Sequence, residues 1–554
     1  MISGKSHKNR AFQISVWCLI VFLSGNRIFS TTSSREKSPM RFAQSHRGMV
    51  ATGSPEATDV ALKILESGGN AVDAAAAAHL ALMVTDPANT SLGGRTQILL
   101  SLKDGRVIAI DGATKSPGIV KPLKRNEDRQ RYAIAPVPGN LAALDEIVRK
   151  YGRLKFPTLL QPSIELAEHG FTVTPRLAAA WSKARESLLE DVGAAHNFLK
   201  PDGSAYKTGD VFVQPRLGQV LRRIALSGVD DFYHGDIADE IARDFKRNGG
   251  FVRKQDLSNY RAIPGVVVRT DYRGFHVATA GGRGWGDTLA EMLNTLEHFT
   301  MSSAEPTGQQ VEIMARVIAQ ALADRPQEIG TLKPKRNGYS LATLSSRQFA
   351  AKRASLIKQM MQSSETPTSS SVRAEEHDTT HLSVMDVEGN AVALTTSIGP
   401  SFGAKVATAE LGFLYAHSYK MRADPTPNTR DETEMTPTIV LEATTPMIVI
   451  GAAGSERIPS AILQVISNVI DRGYSLEQSV TAPRLFALGR NLKMQPGFHS
   501  SVIEALSSRG FKIESLAPDF SVHLGLVHAV QYEPKSKNYF GAVDPGSDGR
   551  ASGP

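Results

Sequence analysis

Apolar and polar residues follow two different rhythms along this chain, and one polar segment separates them. Before the segment, apolar residues recur with the helical period, as in ATDVALKILESGGNAVDAAAAAHLALMV, where Gly-Gly-Asn divides two helices. After the segment they alternate or run together as in strands, in THLSVMDV, NAVALTTS, PTIVLEA and PMIVIGAAG, and then follows the helix PSAILQVISNVIDRG. We therefore expect the α/β class, with the two parts forming either one layered fold or two domains.

The part before the segment also carries strands. Residues 48–111 predict strand, helix, helix, strand, with the second helix beginning at Asp73 and continuing through Ala74–Ala78. A helical middle follows over about 140–256, after which YRGFHVATA predicts a strand, GGRGWGD a loop and TLAEMLNTLEHF a helix. The separating segment, 359–378, reads QMMQSSETPTSSSVRAEEHD and predicts an exposed linker.

THLSVMDV and NAVALTTS predict a hairpin that turns at Glu388-Gly389. Antiparallel pairing about this turn makes opposed residue numbers sum to about 777, so Thr379 faces residue 398 within one position. Ser397 and Thr396 then return to the level of Thr379. The sequence thus predicts hydroxyl side chains at the point where the linker meets the sheet.

Two interpretations of Thr379 stay open on this pattern. It is an ordinary strand residue, since Thr favours strands. Alternatively, a cut between Asp378 and Thr379 gives Thr379 a free α-amine beside its hydroxyl, and such a residue supplies nucleophile and base together. The α-amine has an unperturbed pKa of about 8, close enough to neutrality to take the hydroxyl proton. Ser397 is then placed to orient that amine.

A second glycine-containing loop fits the same chemistry. PMIVIGAAGSERIPSAILQ predicts strand, tight loop and helix. Backbone N–H groups at Gly454 and Ser455 would point from this loop toward a site at the strand end, as in an oxyanion hole. A plain strand-to-helix turn is the alternative.

Composition narrows the class of function. The chain has 554 residues, 41% hydrophobic and 21% charged, with a formal net charge of +8. Lys and Arg are scattered rather than clustered, which argues against a nucleic-acid partner. No run after the first forty residues is apolar enough to span a membrane, so we expect no membrane span in the mature chain.

The first 39 residues resemble a secretory signal. Lys5, Lys8 and Arg10 precede the short apolar run SVWCLIVFL, and NRIFSTTSS follows it. Cleavage there predicts a secreted or periplasmic protein without cysteine, since Cys18 is the single cysteine. A start at Met40 is the alternative, with the preceding residues an extension and the protein cytoplasmic.

Two cofactor interpretations are weaker. His377 and His381 have a spacing that binds zinc on a helix, but here they lie at a linker end and on a strand. Gly282, Gly284 and Gly286 are not spaced as G-x-G-x-x-G, so a dinucleotide site is not favoured, and Trp285 is expected to shape a pocket instead. We expect no cofactor and no metal.

Many blocks of the chain resemble the γ-glutamyltranspeptidase family of N-terminal nucleophile hydrolases, in family order. They run from GMVATGSPEATDVALKILESGGNAVDAAAAAHLAL through APVPGNLAALDEIVRKYGRL to DTTHLSVMDVEGNAVALTTSIGPSFGAKVATAELGFLY, MTPTIV, GAAGSERIPSAILQ and FGAVDPGSDGRASG. The resemblance implies a four-layer αββα fold made as one precursor that cuts itself before Thr379. It implies an acyl-enzyme mechanism in which Thr379 is the nucleophile, Ser397 lies beside the α-amine, and Gly454 and Ser455 form the oxyanion loop.

The same resemblance divides the chain into segments. Residues 1–39 would be the signal-like or extension segment, 40–378 the large subunit with a flexible linker from about 359, and 379–554 the small subunit. The resemblance also implies that the two fragments stay associated, either as one heterodimer or as a dimer of heterodimers.

On the substrate side the chain departs from the family pattern. Ala113 stands where the family's glutamate-binding enzymes have an arginine, and Gly399 and Met421 replace their asparagine and acidic residue. The family's Ser-Ser-Met reads Thr433-Glu434-Met435. Losing an arginine that pairs bidentately with a carboxylate removes a strong contact. Arg95 and Lys115 are candidates for a relocated positive charge, with plain surface positions as the alternative.

These departures predict a small-molecule amide or acyl substrate of non-standard type, attacked by an amide hydrolase or acyltransferase. A true glutathione hydrolase or γ-glutamyl transferase with a relocated carboxylate clamp is the first alternative. An inactive homologue that acts as a binding protein is the second.

Overall fold

The computed structural model describes residues 41–122, 131–302, 305–325, 338–363, 378–418, 421, 425–518 and 522–554. The strands are, in chain order, β1 (Phe42–Ser45), β2 (Gly48–Thr52), β3 (Arg95–Ser101), β4 (Val107–Gly112), β5 (Phe171–Thr172), β6 (Val211–Phe212), β7 (Ile263–Pro264), β8 (Val266–Tyr272), β9 (Phe275–Gly281), β10 (Asp378–Asp386), β11 (Ala391–Gly399), β12 (Thr438–Glu442), β13 (Thr445–Ala453), β14 (Leu485–Leu488), β15 (Asn491–Met494), β16 (Lys512–Ser515), β17 (Leu526–Glu533), β18 (Asn538–Val543) and β19 (Arg550–Ser552).

The α-helices are, in chain order, α1 (Pro55–Glu66), α2 (Ala71–Thr85), α3 (Asn140–Tyr151), α4 (Phe156–His169), α5 (Pro175–Leu189), α6 (Val192–Phe198), α7 (Pro215–Ser227), α8 (Asp230–Tyr233), α9 (Asp236–Arg247), α10 (Lys254–Ser258), α11 (Gly286–Leu296), α12 (Gly308–Asp324), α13 (Leu341–Leu344), α14 (Arg347–Ser363), α15 (Ile458–Arg472), α16 (Leu476–Thr481) and α17 (Ser500–Ser508). Short 3-10 helices cover Arg131–Ile134 and Ser455–Arg457.

Two seven-stranded sheets form the centre of the molecule, with the strand orders β1-β18-β17-β13-β12-β9-β8 and β19-β2-β10-β11-β3-β4-β7. Apolar side chains from both sheets meet between them in one buried cluster that includes Ala51, Leu99, Ala393, Val449 and Val530. β10 lies between β2 and β11, so strands from before and after the polar segment share one sheet. This confirms the α/β class and decides for one layered fold rather than two domains.

Helices cover the outer faces of both sheets. α1 and α2 pack with β2, β3, β10 and β11, and Ala74–Ala78 are fully buried there. α11 and α15 pack with the other sheet through residues such as Leu289 and Ile462, and α12 joins the same apolar cluster through Ile318. The layers therefore run helix, sheet, sheet, helix.

Three local predictions need correction. α2 begins at Ala71 rather than Asp73, because Asp73 and the N-cap Asn70 close a capping box over the first turn. The predicted strand YRGFHVATA is a tight turn at Arg273-Gly274 followed by β9.

The third correction concerns the linker. α14 continues to Ser363, past the predicted linker start at 359, and the Met361 carbonyl accepts a hydrogen bond of 2.8 Å from Arg509. Residues 364–377 lie outside the described residues, as do the signal-like residues 1–39. Of the helices that the structure describes, none is long and apolar enough to cross a membrane.

Candidate active site

Thr379 lies in a break of the β10–β11 ladder. Asp378 is opposite Gly399 and Thr380 is opposite Thr396, so Thr379 alone faces two residues, Ser397 and Ile398, and the extra residue of this β-bulge lies on β11. The residue numbers sum to 777 at Asp378 and to 776 from Thr380 onward, within one position of the predicted register. A bulge re-aims a side chain and ends regular pairing. Thr379 is nevertheless buried, with 6% of its surface exposed.

Thr380 is held differently from Thr379. Its hydroxyl is hydrogen-bonded to Asp86, the residue that ends α2. A side chain on Gly53 would place Cβ 2.3 Å from Thr380 Oγ1, so only glycine lets the β2 end approach here. Asn89 Nδ2 donates to Asp86 at 2.8 Å. The hydroxyl of Thr380 is therefore already bonded within the protein, whereas Thr379 lies opposite the bulge.

Burial raises the pKa of Asp86 to about 7, although the hydrogen bonds from Asn89 and Thr380 oppose that rise. The carboxyl group is thus partly protonated near neutrality. It is an acid that sequence reasoning missed. Its only sequence signal is its position at the end of the helix before β3.

Ser397 lies near the end of β11, next to Arg95 of β3 in the ladder. Its Oγ accepts a hydrogen bond of 2.9 Å from the Gly399 N–H, which fixes the side chain toward the strand end. Gly399 has φ 94°, a backbone region that favours glycine. Thr396 faces elsewhere, since its hydroxyl bonds Thr90 at 2.8 Å and donates to the Arg95 carbonyl at 3.0 Å.

The Gly454–Ser455 loop presents unused donors. Gly454 has φ 129° and Ser455 has φ 55°, and positive φ values of this size favour glycine. Neither backbone N–H has an acceptor among the described residues, and the buried Ser455 Oγ has no partner there either. Unpaired buried donors are costly. This loop can therefore stabilise negative charge on a bound molecule.

Behind the bulge, two buried histidines support the strand ends. His381 bonds Thr395 Oγ1 at 2.8 Å and Ser383 Oγ at 2.9 Å through its two ring nitrogens. His528 donates from Nδ1 to the His381 carbonyl at 2.7 Å, and its Nε2 contacts Ser547 Oγ at 2.9 Å. Burial lowers the pKa of His381 well below its ordinary value and that of His528 to about 4, so both rings are neutral.

This arrangement gives no support to a zinc site at His377 and His381. Both ring nitrogens of His381 are engaged within the protein, and His377 lies outside the described residues. Across the part of the chain that the structure describes, no group of three or more His, Cys, Asp or Glu could hold a metal ion.

The glycine-rich loop before α11 serves packing. A Cβ on Gly286 would lie 2.5 Å from the Ala280 carbonyl oxygen, and the Gly282 N–H donates to Asp287 at 2.8 Å. Trp285 is buried, and the Arg325 guanidinium lies over its ring, 4.0 Å from the ring centre. These contacts close the turn between β9 and α11. Close packing therefore explains why glycines stand in this loop.

A cavity of about 740 Å³ reaches Thr379 and Thr380. Its wall also includes Asp86, Arg176 and Arg457, and apolar side chains such as Phe171, Leu177 and Leu526. It is large enough for a small-molecule substrate. Arg176 and Arg457 are further residues that the sequence pattern did not single out.

The predicted substrate residues gather on the other flank, around Asp431. Arg95 is buried, and its guanidinium lies 3.6 Å from Asp431 and donates to the His417 carbonyl at 3.3 Å. Asp431 also accepts hydrogen bonds from Thr114 at 2.6 Å and Ser418 at 2.7 Å. The positive charge of Arg95 is thus balanced inside the protein.

The other substrate positions are placed as follows. Lys115 is half-buried, and its backbone exchanges hydrogen bonds with Val137. Thr433 Oγ1 accepts from the Met435 N–H at 3.1 Å. Burial raises the pKa of Glu434, against the charges of Arg95 and Arg325. Ala113 and Met421 are fully buried. None of these residues lines the cavity that reaches Thr379.

Comparison with known proteins fits this arrangement. The chain is 31% identical over 541 residues to the glutathione hydrolase proenzyme of Escherichia coli (strain K12), covering 92% of this chain and 91% of that protein. It is 32% identical over 503 residues to the acylase ACY 1 proenzyme of Pseudomonas sp. (strain SE83), covering 86% and 88%.

The solved structure of cephalosporin acylase from Bacillus halodurans has the same fold, with a TM-score of 0.80 at 25% identity over 95% of this chain and 99% of that one. Residues 57–553 match the family described as Gamma-glutamyltranspeptidase. The sequence blocks, the layered fold and these matches agree. The chain belongs to the γ-glutamyltranspeptidase family of N-terminal nucleophile hydrolases.

Proposed function

We propose that this protein is a self-processing amide hydrolase or acyltransferase whose nucleophile is Thr379, with a substrate specificity different from that of the glutamate-binding enzymes. The observation that carries the proposal is the position of Thr379 at the strand end, opposite a bulge in β11 that contains Ser397 and next to a cavity of about 740 Å³. The N–H groups of Gly454 and Ser455, which have no acceptor among the described residues, support it.

The first step is the cut. Thr379 Oγ attacks the carbonyl carbon of Asp378, the peptide C–N bond breaks, and the acyl group moves to oxygen while the nitrogen becomes a free amine. Water then hydrolyses this ester, leaving the Asp378 carboxylate and a free Thr379 hydroxyl. The fragments stay associated, because β10 and β11 of the new chain remain paired with β2 and β3 of the first fragment. Relatives named as proenzymes are consistent with such a step.

The second step is acyl transfer. The α-amine of Thr379 takes the hydroxyl proton, and Oγ attacks the substrate carbonyl. The backbone donors of Gly454 and Ser455 stabilise the resulting oxyanion. The amide C–N bond breaks, the departing amine leaves with the proton from the α-ammonium, and an ester to Thr379 remains. Water or a second amine then attacks that ester, and the hydroxyl of Thr379 is restored.

Ser397 has a positioning role in this scheme. Its hydroxyl oxygen accepts an N–H of the Thr379 α-amine as well as the N–H of Gly399. An amine held through its N–H keeps its single lone pair free to take the proton of the Thr379 hydroxyl. This explains why a hydroxyl residue stands at this position.

The predicted substrate positions around Asp431 favour an acylase-type substrate. Ala113 offers no charge, and the charge of Arg95 is balanced by Asp431. A free carboxylate clamp for an amino-acid head group is therefore missing from the positions that the family pattern predicts. The alternative, a glutathione hydrolase with a clamp relocated to Arg95 or Lys115, requires Asp431 to release Arg95 when substrate binds.

A denaturing gel with fragment masses tests the self-cleavage. Purified protein should give two fragments, the smaller beginning at Thr379. Thr379→Ala should stay intact and inactive, while Thr379→Ser should still be cut. One intact, unchanging band from the wild-type protein would sink the proposal and favour the binding-protein alternative.

Substrate assays separate the two enzymatic alternatives. We expect weak or no release from γ-glutamyl-p-nitroanilide and turnover of simple acyl-anilides. Robust turnover of the γ-glutamyl compound, lost in Arg95→Met, would instead establish the relocated clamp.

A further inference from the structure

Self-cleavage of this chain needs a proton acceptor that acyl transfer does not need. In acyl transfer the α-amine of Thr379 takes the hydroxyl proton. In the uncut chain, where Asp378 and Thr379 are consecutive residues of β10, the same nitrogen belongs to their peptide bond. An amide nitrogen has no basic lone pair, because its electrons are delocalised into the carbonyl group. The hydroxyl proton of Thr379 must therefore go to another group during the cut.

Among the described residues of the cavity wall, five side chains can accept a proton at neutral pH: Glu56, Asp86, Asp548, His523 and His528. Burial lowers the pKa of His528 to about 4, and both of its ring nitrogens already have partners. Burial also lowers the pKa of His523 well below its ordinary value. The two histidines are therefore poor bases, and the carboxyl groups remain.

Two of the three carboxyl groups are bonded at helix starts. Glu56 accepts a hydrogen bond of 2.8 Å from Ser54 Oγ, the N-cap residue of α1. Asp548 accepts from the hydroxyl of Thr174, the N-cap residue of α5. Negative charge is favourable at a helix N-terminus, so both carboxyl groups have a structural reason for their positions.

Asp86 is bonded to the strand that carries the nucleophile. This half-buried carboxyl group accepts a hydrogen bond from the hydroxyl of Thr380, the residue that follows Thr379. It accepts a second one of 2.8 Å from Asn89 Nδ2. Thr380 Oγ1 and Asp86 Oδ2 both lie against the glycine after β2, at 2.3 Å and 3.6 Å from a Cβ placed on Gly53. Asp86 therefore lies one hydroxyl group away from the residue next to the scissile bond.

The charges around Asp86 leave its carboxyl group able to exchange a proton near neutrality. Burial raises its pKa to about 7, Asp548 before β19 adds to the rise, and Arg176 on α5 opposes it. His528 on β17 adds no charge, because its ring is neutral. The other charged side chains among the described residues of the wall are Arg41, Glu56, Lys183, Lys405 and Arg457. A general base works best when its pKa is near the working pH.

We propose that Asp86 is the proton acceptor of self-cleavage and that the hydroxyl of Thr380 carries the proton to it. The proposal rests on the self-processing function given above. Thr379 Oγ bonds to the carbonyl carbon of Asp378 and gives its proton to Thr380 Oγ. The Thr380 hydroxyl gives its own proton to the Asp86 carboxylate. When the C–N bond breaks, a proton returns along the same route to the departing nitrogen, and Asp86 is again ionised.

The rate of cutting at different pH values tests the acceptor. Full-length chain labelled in a short pulse of cell-free synthesis is diluted into buffers between pH 5 and pH 9, and denaturing gels follow the two fragments. The wild-type rate should rise with pH and level off above an apparent pKa of about 7, because only ionised Asp86 accepts the proton. Asp86→Asn should cut about 100-fold more slowly, as for loss of a general base, and should lose this titration. A wild-type rate without this titration, or an Asp86→Asn rate close to that of the wild type, would overturn the proposal.

Conservative variants test the route of the proton. Asp86→Glu keeps the carboxyl group and should restore part of the rate. Thr380→Ser keeps the hydroxyl and should be cut, whereas Thr380→Val should be as slow as Asp86→Asn. Asp145→Asn is the matched control, since Asp145 is also a half-buried aspartate whose pKa burial raises, but it lies on α3 outside the cavity wall. It should be cut at the wild-type rate. Rapid cutting of Thr380→Val would overturn the proposed route.

Turnover separates this proposal from the proposed function. After the cut the α-amine of Thr379 is the base, so kcat of the cut fraction of Asp86→Asn, measured with acyl-anilides, should fall far less than the rate of cutting. Equal losses in both rates would show a general disturbance of the site and would overturn the role of Asp86. A wild-type chain that is never cut would reject the self-processing function itself. A wild-type chain that is cut no faster than Asp86→Asn would reject the role of Asp86 alone.

Discussion

Arg457 holds the carbonyl of Gly454 with two hydrogen bonds, one of 2.8 Å from Nε and one of 3.1 Å from its own backbone N–H. Because the peptide is planar, fixing this carbonyl also fixes the direction of the Ser455 N–H. The buried guanidinium thus orients a donor of the proposed oxyanion site without itself being that donor.

Removing this support should slow both proposed reactions. We expect Arg457→Met to lower kcat roughly tenfold or more while KM changes little, because a misdirected donor fails mainly in the transition state. Ser455→Gly is the matched control, since it keeps the N–H and suits φ 55°. Steady-state kinetics and the rate of self-cleavage measure the effect. A kcat within twofold of wild type in Arg457→Met would remove the positioning role.

The hydroxyl of Ser397 should matter for rate rather than for folding. Ser397→Ala loses the hydroxyl that accepts from Gly399 and that we propose directs the α-amine. We expect kcat to fall roughly 10- to 100-fold, since small losses of alignment are costly at a reacting centre. Ser397→Thr keeps the hydroxyl and should retain most of the activity. Equal rates for the alanine and threonine variants would contradict the role.

Asp86 should make stability depend on pH. The folded protein keeps its proton up to a pKa of about 7, while the unfolded chain releases it near 3.8. The folded state therefore binds more protons between these values, and the contribution of Asp86 to the free energy of unfolding falls as pH rises through this window. Asp86→Asn removes the titration.

The comparison is made in the uncut Thr379→Ala protein, where unfolding does not separate two fragments. Melting temperatures at pH 5 and pH 8 should show Asp86→Asn gaining on its parent at the higher pH. A difference that is the same at both pH values would show that Asp86 does not hold a proton in the folded state.

Asp431 should be a major contributor to stability. Its removal takes away the carboxylate 3.6 Å from the buried Arg95 guanidinium and the acceptor of the Thr114 and Ser418 hydroxyls. We expect Asp431→Ala to lower the free energy of unfolding by about 3 kcal/mol or more. The double variant Arg95→Met with Asp431→Leu should recover much of that loss, because both charges are gone. Urea unfolding of the uncut protein measures both changes, and a loss below about 1 kcal/mol for Asp431→Ala would contradict the burial of this pair.

Much of the candidate site could be predicted because it depends on local patterns. The hairpin turn at Glu388-Gly389 determines which residues stand opposite Thr379, and the observed register agrees within one position. The Gly454–Ser455 loop follows from a strand, a glycine and a helix in sequence. The linker start was less predictable, because α14 gains its last turn from packing and from Arg509, which is distant in the chain.

The charge environment could not be predicted in the same way. Arg95 and Asp431 are separated by more than three hundred positions, and nothing near either residue shows that their charges balance. Arg176 is an unremarked residue of a helix until the fold places it in the wall of the Thr379 cavity. Electrostatic partners depend on distance in space, which the local pattern does not contain.

The sequence by itself determined the strand and helix pattern and the hairpin register, because backbone periodicity and turn chemistry act over a few residues. Its resemblance to the family then indicated Thr379 as the candidate nucleophile. Only the tertiary structure decided that both parts share two sheets, that Thr379 faces a bulge in β11, and that Thr380 is bonded to Asp86. These features depend on which distant strands become neighbours. Burial then sets the free-energy cost of each charge. It thereby decides which charged groups need a partner within the protein and which can bind a substrate.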